Sequence, residues 1–379
     1  MPEAVARTLA DRGRPDRGPT LLVVSGVHGN EPAGVEASRR VAARLAGRDG
    51  VLTGRVVFVV GNRAALARGL RFVDRDLNRA WSPERVAALR NGHDLTGCED
   101  REQRALMDLL DRLVAEAGGP VYAVDLHTTS GDGGAFSSAT DTLQNRALAL
   151  TLPVPFVLGL DELLDGTLLD YLQASGCRCL AFESGQHSEP LAVERAEAAV
   201  WILLVAAGLL PETAVPELTS ARKLLAREGR RHPRVVEMRY RHPVEPEDGF
   251  LMRPGYRNFQ RIQEGEVLAT DRSGPIRAAE TARILMPLYQ VLGDDGFFVV
   301  REVAPFWLHV SRGMRQLRLG RAVHWLPGVS RHPERDDALV VDGRVTRRYA
   351  LRLLHLLGYR SVEEDEDRLV VERDAPAAP

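Results

Sequence analysis

The apolar positions along the chain fall into two textures. Up to about residue 211, short unbroken apolar runs alternate with stretches of helical spacing. Leu21–Ser25 (LLVVS), Arg55–Val60 (RVVFVV), Val121–Leu126 (VYAVDL), Phe156–Leu160 and Cys179–Glu183 predict buried strands. Strands that are apolar throughout belong to a sheet covered on both faces. Between them, residues 35–47 place Val41 and Leu45 at helical spacing and stop at Gly47. Residues 101–117 set Leu106, Leu109, Leu110, Leu113 and Val114 on one stripe that ends at Gly118-Gly119-Pro120, and residues 191–209 read as a buried helix. This alternation predicts an α/β domain. Residues 1–18, polar and broken by Pro and Gly, read as a loose lead-in.

After Pro211–Pro216 the pattern changes. Residues 233–310 hold short β-type runs split by Gly, Pro and Asp (VVEMRY, GFLMRP, EVLAT, RILMPLY, GFFVVREV), which predict an all-β module. Residues 338–373 predict a strand (Ala338–Val341), an amphipathic helix (Thr346–Leu357) and a strand (Arg368–Glu372), followed by a disordered Ala/Pro end. The expected division is a catalytic domain at 1–215, a β-rich domain at 216–335, and a small α/β appendage with tail at 336–379.

Composition narrows the function classes. The 379 residues carry 50 Lys+Arg against 52 Asp+Glu, a net charge of −2, so no basic field points to a nucleic-acid partner. Lys223 is the sole lysine, read as composition bias and not as arginine chemistry. Cys98, Cys177 and Cys179 cannot build a disulfide framework for a chain of this size, which suggests a reducing, cytoplasmic setting. The longest apolar run, Ala198–Leu210, is too short for a bilayer, and the first twenty residues lack the signature of a secretory or transit signal, so no membrane partner is expected. Homo-oligomerisation stays open.

Four segments carry chemistry. Ser-Gly-Val-His-Gly-Asn-Glu at 25–31 follows a buried strand directly, and its turn aims His28 and Glu31, both good zinc ligands, at a common point. The plain alternative is a solvated surface loop. Val-Asp-Leu-His-Thr-Thr-Ser at 124–130 puts His127 where a buried strand runs out, the end at which α/β sheets bind ligands. Asp125 shares its strand face and could steady the imidazole or simply bond nearby backbone. His28, Glu31 and His127 together are three protein ligands with an open fourth position, the catalytic form of a zinc site. The other histidines lack this strand-end context and read as surface or cap residues.

Glu183, in Leu-Ala-Phe-Glu-Ser-Gly at 180–185, ends an apolar strand. A buried carboxylate is either paired or employed, and a Glu beside a metal's water is the usual general base. Arg-Phe-Val-Asp-Arg-Asp-Leu-Asn-Arg-Ala-Trp at 71–81 concentrates Arg, Asp and Asn on a frame of Phe72, Val73, Leu77 and Trp81. Arginine binds carboxylates through paired hydrogen bonds and stabilises oxyanions, so this loop predicts a small carboxylate-bearing substrate.

These segments, in this order, resemble the succinylglutamate desuccinylase/aspartoacylase family, zinc hydrolases on the zinc-carboxypeptidase scaffold. The matching pieces are Gly-x-His-Gly-Asn-Glu (26–31), Asn-Arg-Ala-Ala (62–65), Asp-Leu-Asn-Arg (76–79), Asp-Leu-His-Thr-Thr-Ser (125–130) and Phe-Glu-Ser-Gly (182–185). The resemblance implies a mixed sheet flanked by helices, followed by a smaller β-rich, barrel-like C-terminal domain that narrows access to the site. It implies one Zn²⁺ per chain held by His28, Glu31 and His127, with Glu183 as general acid/base. Arg71 would then polarise the scissile carbonyl, and Asn78 and Arg79 would grip the substrate carboxylate. Residues 261–274 read like a lipoyl-type hairpin, and Ile-Leu-Met-Pro-Leu-Tyr-Gln (284–290) resembles the segment that can bring a substrate-contacting tyrosine, Tyr289. One departure stands out. The family's aspartoacylase branch has a further substrate arginine before the catalytic glutamate, where this chain has Leu172-Gln173-Ala174, with Arg178 out of step. The expected activity is hydrolysis of a small N-acyl amino acid. The alternatives are a carboxypeptidase acting on short peptides and a non-catalytic zinc-containing binding protein.

Overall fold

The five apolar runs become strands of one large sheet. In the computed structural model, which describes residues 5–92, 96–160, 163–317, 328–332, 338–342, 357, 359–365 and 368–373, the residues group into two compact units. One is drawn from 1–140 and 147–302, the other from 141–146 and 303–379.

In the first unit the strands are β1 (Thr8–Gly13), β2 (Thr20–Ser25), β3 (Arg55–Val60), β4 (Val121–Thr129), β5 (Phe136–Ser138), β6 (Phe156–Leu158) and β7 (Arg178–Gln186). They continue as β8 (Val235–Pro243), β9 (Leu251–Met252), β10 (Arg261–Ile262), β11 (Val267–Asp271), β12 (Gly274–Arg277), β13 (Ala282–Leu285) and β14 (Asp295–Glu302). Eleven of them form a mixed sheet in the order β1-β3-β2-β4-β7-β5-β6-β8-β14-β13-β10. Its centre, β3-β2-β4-β7, is parallel, so four carboxyl ends come together at one edge. Strands of the β-rich stretch thus continue the large sheet, while β12-β11-β9 make a separate three-stranded one; its β11–β12 hairpin spans 267–277, shifted from the expected 261–274 because Arg261–Ile262 joins the large sheet as β10.

The helices of this unit are α1 (Ala33–Leu45), α2 (Arg63–Leu66), α3 (Pro83–Arg90), α4 (Cys98–Glu116), α6 (Leu168–Ala174), α7 (Leu191–Ala206) and α8 (Leu218–Gly229), while α5 (Leu143–Ala149) is divided between the two units. Leu22, Val24, Val57 and Val59 pack against the α4 stripe Leu106, Leu110 and Leu113. The other face is covered by α1 and α7. Among the described residues no helix is long and apolar enough to cross a membrane.

Two expectations need correction. Residues 8–13 are not a loose lead-in. They form β1, antiparallel to β3 at the sheet edge, where polar residues are favoured because one side meets solvent. Asp11 pairs there with Arg55 at 2.7 Å. The β-type texture read up to residue 310 ends earlier, because Pro305–Gln316 is helix α9 of the second unit. Pro305 supplies a helix start, and the run Phe306-Trp307-Leu308 mimics a strand only in composition. That unit also holds a four-stranded antiparallel sheet of β15 (Val329–Arg331), β16 (Ala338–Asp342), β17 (Tyr359–Asp365) and β18 (Arg368–Arg373), in the order β15-β16-β18-β17. The expected helix Thr346–Leu357 and the Ala/Pro end lie outside the described residues, apart from Leu357.

Candidate active site

At the end of β2 the chain turns on Gly26, whose φ of 66° lies in the left-handed region that suits glycine. Gly29 presses on α2, where a Cβ would fall 2.1 Å from the Ala65 carbonyl carbon, so only glycine fits. Its N–H donates to the Arg71 carbonyl at 3.1 Å and joins the His28 turn to the Arg71 loop. On the neighbouring strands His127 of β4 and Glu183 of β7 are register partners. Strand side chains alternate, so Asp125, His127 and Glu183 line one face.

Ligand atoms of His28, Glu31 and His127 lie within 4.8 Å of one another, and all three residues are buried. Glu31 sits between the rings. Its Oε1 is 2.9 Å from His28 Nδ1, and its Oε2 is 3.2 Å from His127 Nδ1 and accepts the Thr128 N–H at 2.8 Å. Each ring's other nitrogen meets a buried carboxylate, His28 Nε2 at 3.0 Å from Asp76 Oδ1 and His127 Nε2 at 2.8 Å from Asp125 Oδ2. Donation of one ring N–H to a carboxylate is how ligating histidines are commonly oriented, and here it leaves both Nδ1 atoms facing Glu31. The carboxylates of Glu31, Asp76 and Asp125 face one guanidinium, Arg71, and the two imidazoles. A divalent cation would neutralise that excess of enclosed negative charge, so the donor set fits a metal.

Electrostatics divide the carboxylates. Burial opposes ionisation of Glu31, but His28 and His127 outweigh it and hold the group well below the ordinary range. Asp76 is likewise held low against burial by His28 and Arg71. For Glu183 burial wins: His127 pulls down while Glu31 and Asp125 push up, and the carboxyl is raised to about 8. Glu183 Oε2 has no hydrogen-bond partner among the described residues.

Arg71 clamps Asp76 Oδ2 through Nε at 3.1 Å and Nη2 at 2.8 Å, and its Nη1 lies 3.7 Å from Glu31. Asn78 donates its N–H to Asp76 Oδ1 at 2.8 Å and accepts the Leu168 N–H at 3.0 Å. Arg79 Nη2 meets Asp295 Oδ2 at 2.8 Å, while its buried Nε has no partner among the described residues. His28, Glu31, Arg71, Asn78, Arg79 and Glu183 all line one cavity of about 150 Å³.

Tyr289 is not brought to this cavity. Its hydroxyl donates to the Arg253 carbonyl and accepts the Tyr256 N–H, each at 2.9 Å, whereas its neighbours Leu288 and Gln290 line the wall. Sequence reading missed Asp76 as a partner of His28, since nothing in their spacing links residues so far apart. It also set His187 aside, although His187 lines the cavity, with Nδ1 2.7 Å from Thr128 Oγ1 and Nε2 3.1 Å from Gln290 Oε1. Burial lowers the His187 pKa and favours the neutral ring.

The loop carrying Arg71 is held by a residue outside the cavity. Glu99, buried at the start of α4, accepts the N–H groups of Val73 at 2.7 Å, Asp74 at 2.8 Å and Arg75 at 3.4 Å, and the Asn62 amide at 3.0 Å. Glu99→Ala strands these donors and is expected to cost about 2 kcal/mol of stability. Chemical denaturation of the two proteins checks this, and an unchanged midpoint would show that the clasp is dispensable.

In the comparison with known proteins, the family match covers the first four of the segments singled out in the sequence and stops short of Glu183. Residues 17–152 match the family described as the Succinylglutamate desuccinylase/Aspartoacylase catalytic domain. A curated relative, the succinylglutamate desuccinylase of Pseudomonas paraeruginosa, is 41% identical over 70 residues, which are 18% of this chain and 21% of the relative. This chain thus spans about a fifth of that relative's length in the match. Two crystal structures share the fold. That of a succinylglutamate desuccinylase/aspartoacylase from Rhodobacter sphaeroides has a TM-score of 0.56 at 19% identity, over 78% of this chain and 88% of that one. That of a succinylglutamate desuccinylase from Vibrio parahaemolyticus has a TM-score of 0.55 at 16% identity, over 76% and 83%. The matched stretch holds His28, Glu31, Arg71, Asn78, Arg79 and His127, and residues 17–152 of this chain are thus similar to the catalytic domain of the succinylglutamate desuccinylase/aspartoacylase family.

Proposed function

We propose that the chain is a zinc-dependent hydrolase that cleaves the amide bond of a small N-acyl amino acid. The observation that carries this reading is the convergence of His28, Glu31 and His127 beside a carboxyl, Glu183, that has a free oxygen and a raised affinity for protons. His28, Glu31 and His127 would hold the ion, which supplies Lewis-acid polarisation and acidifies water. Glu183, in its ionised form, accepts the proton of the attacking water at Oε2 and returns it to the leaving amine nitrogen. That return is where a carboxyl raised towards neutrality is most useful. Arg71, fixed by Asp76, directs its guanidinium to the carbonyl oxygen as negative charge develops there. Arg79 Nε and the Asn78 side chain offer donors to the substrate carboxylate. The β-rich stretch, through Met286–Gln290, walls the cavity and limits its reach to small acids.

The test is a metal measurement on the purified chain, followed by assays of N-acyl amino acids beside dipeptides. One zinc per chain and release of free amino acid from the N-acyl compounds are expected. Turnover of peptides alone would favour a carboxypeptidase, and zinc without turnover of either would favour a binding protein.

A further inference from the structure

We propose that the substrate carries a single carboxylate and that its acyl group and amino-acid side chain are both uncharged, so that dicarboxylic acyl amino acids are poor ligands. This rests on the amide-hydrolase reading of the same cavity and adds the substrate class. The first argument is a charge count. Among the described residues lining the cavity, Arg71 and Arg79 are the only guanidinium groups, and there is no lysine. Arg71 is committed to Asp76 through two nitrogens. Arg79 shares Asp295 with Arg241, which leaves Nε as its unpartnered donor among the described residues. The lining also includes Glu31, Asp125, Asp170, Glu183 and Asp295. With Arg71 offset by Asp76, a zinc ion by Glu31 and Asp125, and Asp295 shared by Arg79 and Arg241, one incoming carboxylate can be met at Arg79, whereas a second would be desolvated with no guanidinium to spare. N-succinylglutamate, the compound in the relatives' name, carries three.

The second argument is the wall. Leu160, Leu164, Leu169, Met286, Leu288 and Phe298 all line the cavity. Met286 is held at a φ of 48°, a left-handed conformation that is unfavourable for a side chain of this size. Its N–H donates to Asn258 Oδ1 at 2.7 Å, and Ser130 Oγ bonds the Pro287 carbonyl at 3.2 Å and the Tyr289 N–H at 3.1 Å. The buried Asn258 and the half-buried Ser130 thus fix a strained segment that presents Met286 and Leu288 to the cavity and turns Tyr289 away. Strain held this way at a ligand cavity is a device for placing side chains, and here those side chains are apolar.

The experiment pairs charged with uncharged probes. Binding of N-acetyl-leucine, N-acetyl-glutamate, N-pentanoyl-leucine and N-succinyl-leucine to the zinc-loaded Glu183→Gln variant is measured by calorimetry, and turnover of the same four by the wild-type chain. Each uncharged member should bind at least about tenfold tighter than its charged partner. Met286→Arg should shift the pentanoyl-to-succinyl ratio towards succinyl by a similar factor. Equal or tighter binding of either charged member, no binding of any probe, or an unchanged ratio in Met286→Arg would overturn the inference. Binding in the expected order with no hydrolysis by the wild-type chain would support the charge count and refute the amide-hydrolase reading, so the two fail separately.

Discussion

Glu183→Gln is expected to lower kcat by about 10²- to 10⁴-fold while zinc content and KM stay close to wild type. Glutamine has the same shape, so neither β7 nor its pairing with β4 should change. What is lost is the group able to hold a proton at Oε2, the oxygen that has no partner among the described residues. A split between kcat and KM separates a proton-transfer role from a packing role, since a packing defect would also disturb zinc and KM. The same variant has a signature in the metal-free protein. Glu183 is raised from 4.5 to about 8, so between those values the folded state binds a proton that the unfolded state has released. Its contribution is present below pH 4.5 and is lost as pH rises towards 8. Metal-free wild type should therefore lose stability over that window more steeply than metal-free Glu183→Gln, as read by thermal melts at several pH values. Undiminished kcat in the variant, or parallel stability profiles, would remove Glu183 from its role.

Legibility in the sequence followed the range of the interactions. Runs such as Val56–Val60 declare buried strands because every residue is apolar, and His28 follows where one such run stops, whereas β4 and β7 run on for two and three residues beyond His127 and Glu183. The edge strand Thr8–Gly13 was invisible for the opposite reason. Its residues, Thr-Leu-Ala-Asp-Arg-Gly, form no apolar run, and it is a strand because β3 supplies hydrogen-bond partners. Helix α9 was hidden by aromatic residues that suit either state. Within the site, the residues that carry chemistry stood in recognisable segments, but those that position them did not. Asp76 meets His28 only after two loops close on each other, and Glu99 grips the Arg71 loop from the start of α4. Tyr289 shows the limit of motif reasoning. The segment that contains it does reach the cavity, yet the backbone at Met286 sets which of its side chains point inward.

Glu31→Ala is expected to abolish both zinc binding and turnover, and Asp125→Asn to weaken zinc by about 10- to 100-fold with partial activity. The difference follows from what each carboxylate touches. Glu31 lies between the two Nδ1 atoms, and without it the donor set shrinks from three to two. Asp125 touches only the far nitrogen of His127, so its loss leaves all three donors in place and costs their orientation. The two variants therefore separate ligand from support, which neither could do alone. Chelator competition reads the affinities directly. Thermal melts give a second readout, since a metal that binds only the folded chain adds about 2.7 kcal/mol of stability at a hundredfold excess over its Kd. Wild type should show that zinc-dependent rise, Asp125→Asn a smaller one at the same zinc concentration, and Glu31→Ala none. A wild-type zinc response in Glu31→Ala would mean that the ion, if one binds, sits elsewhere, and the hydrolase reading would lose the arrangement on which it stands.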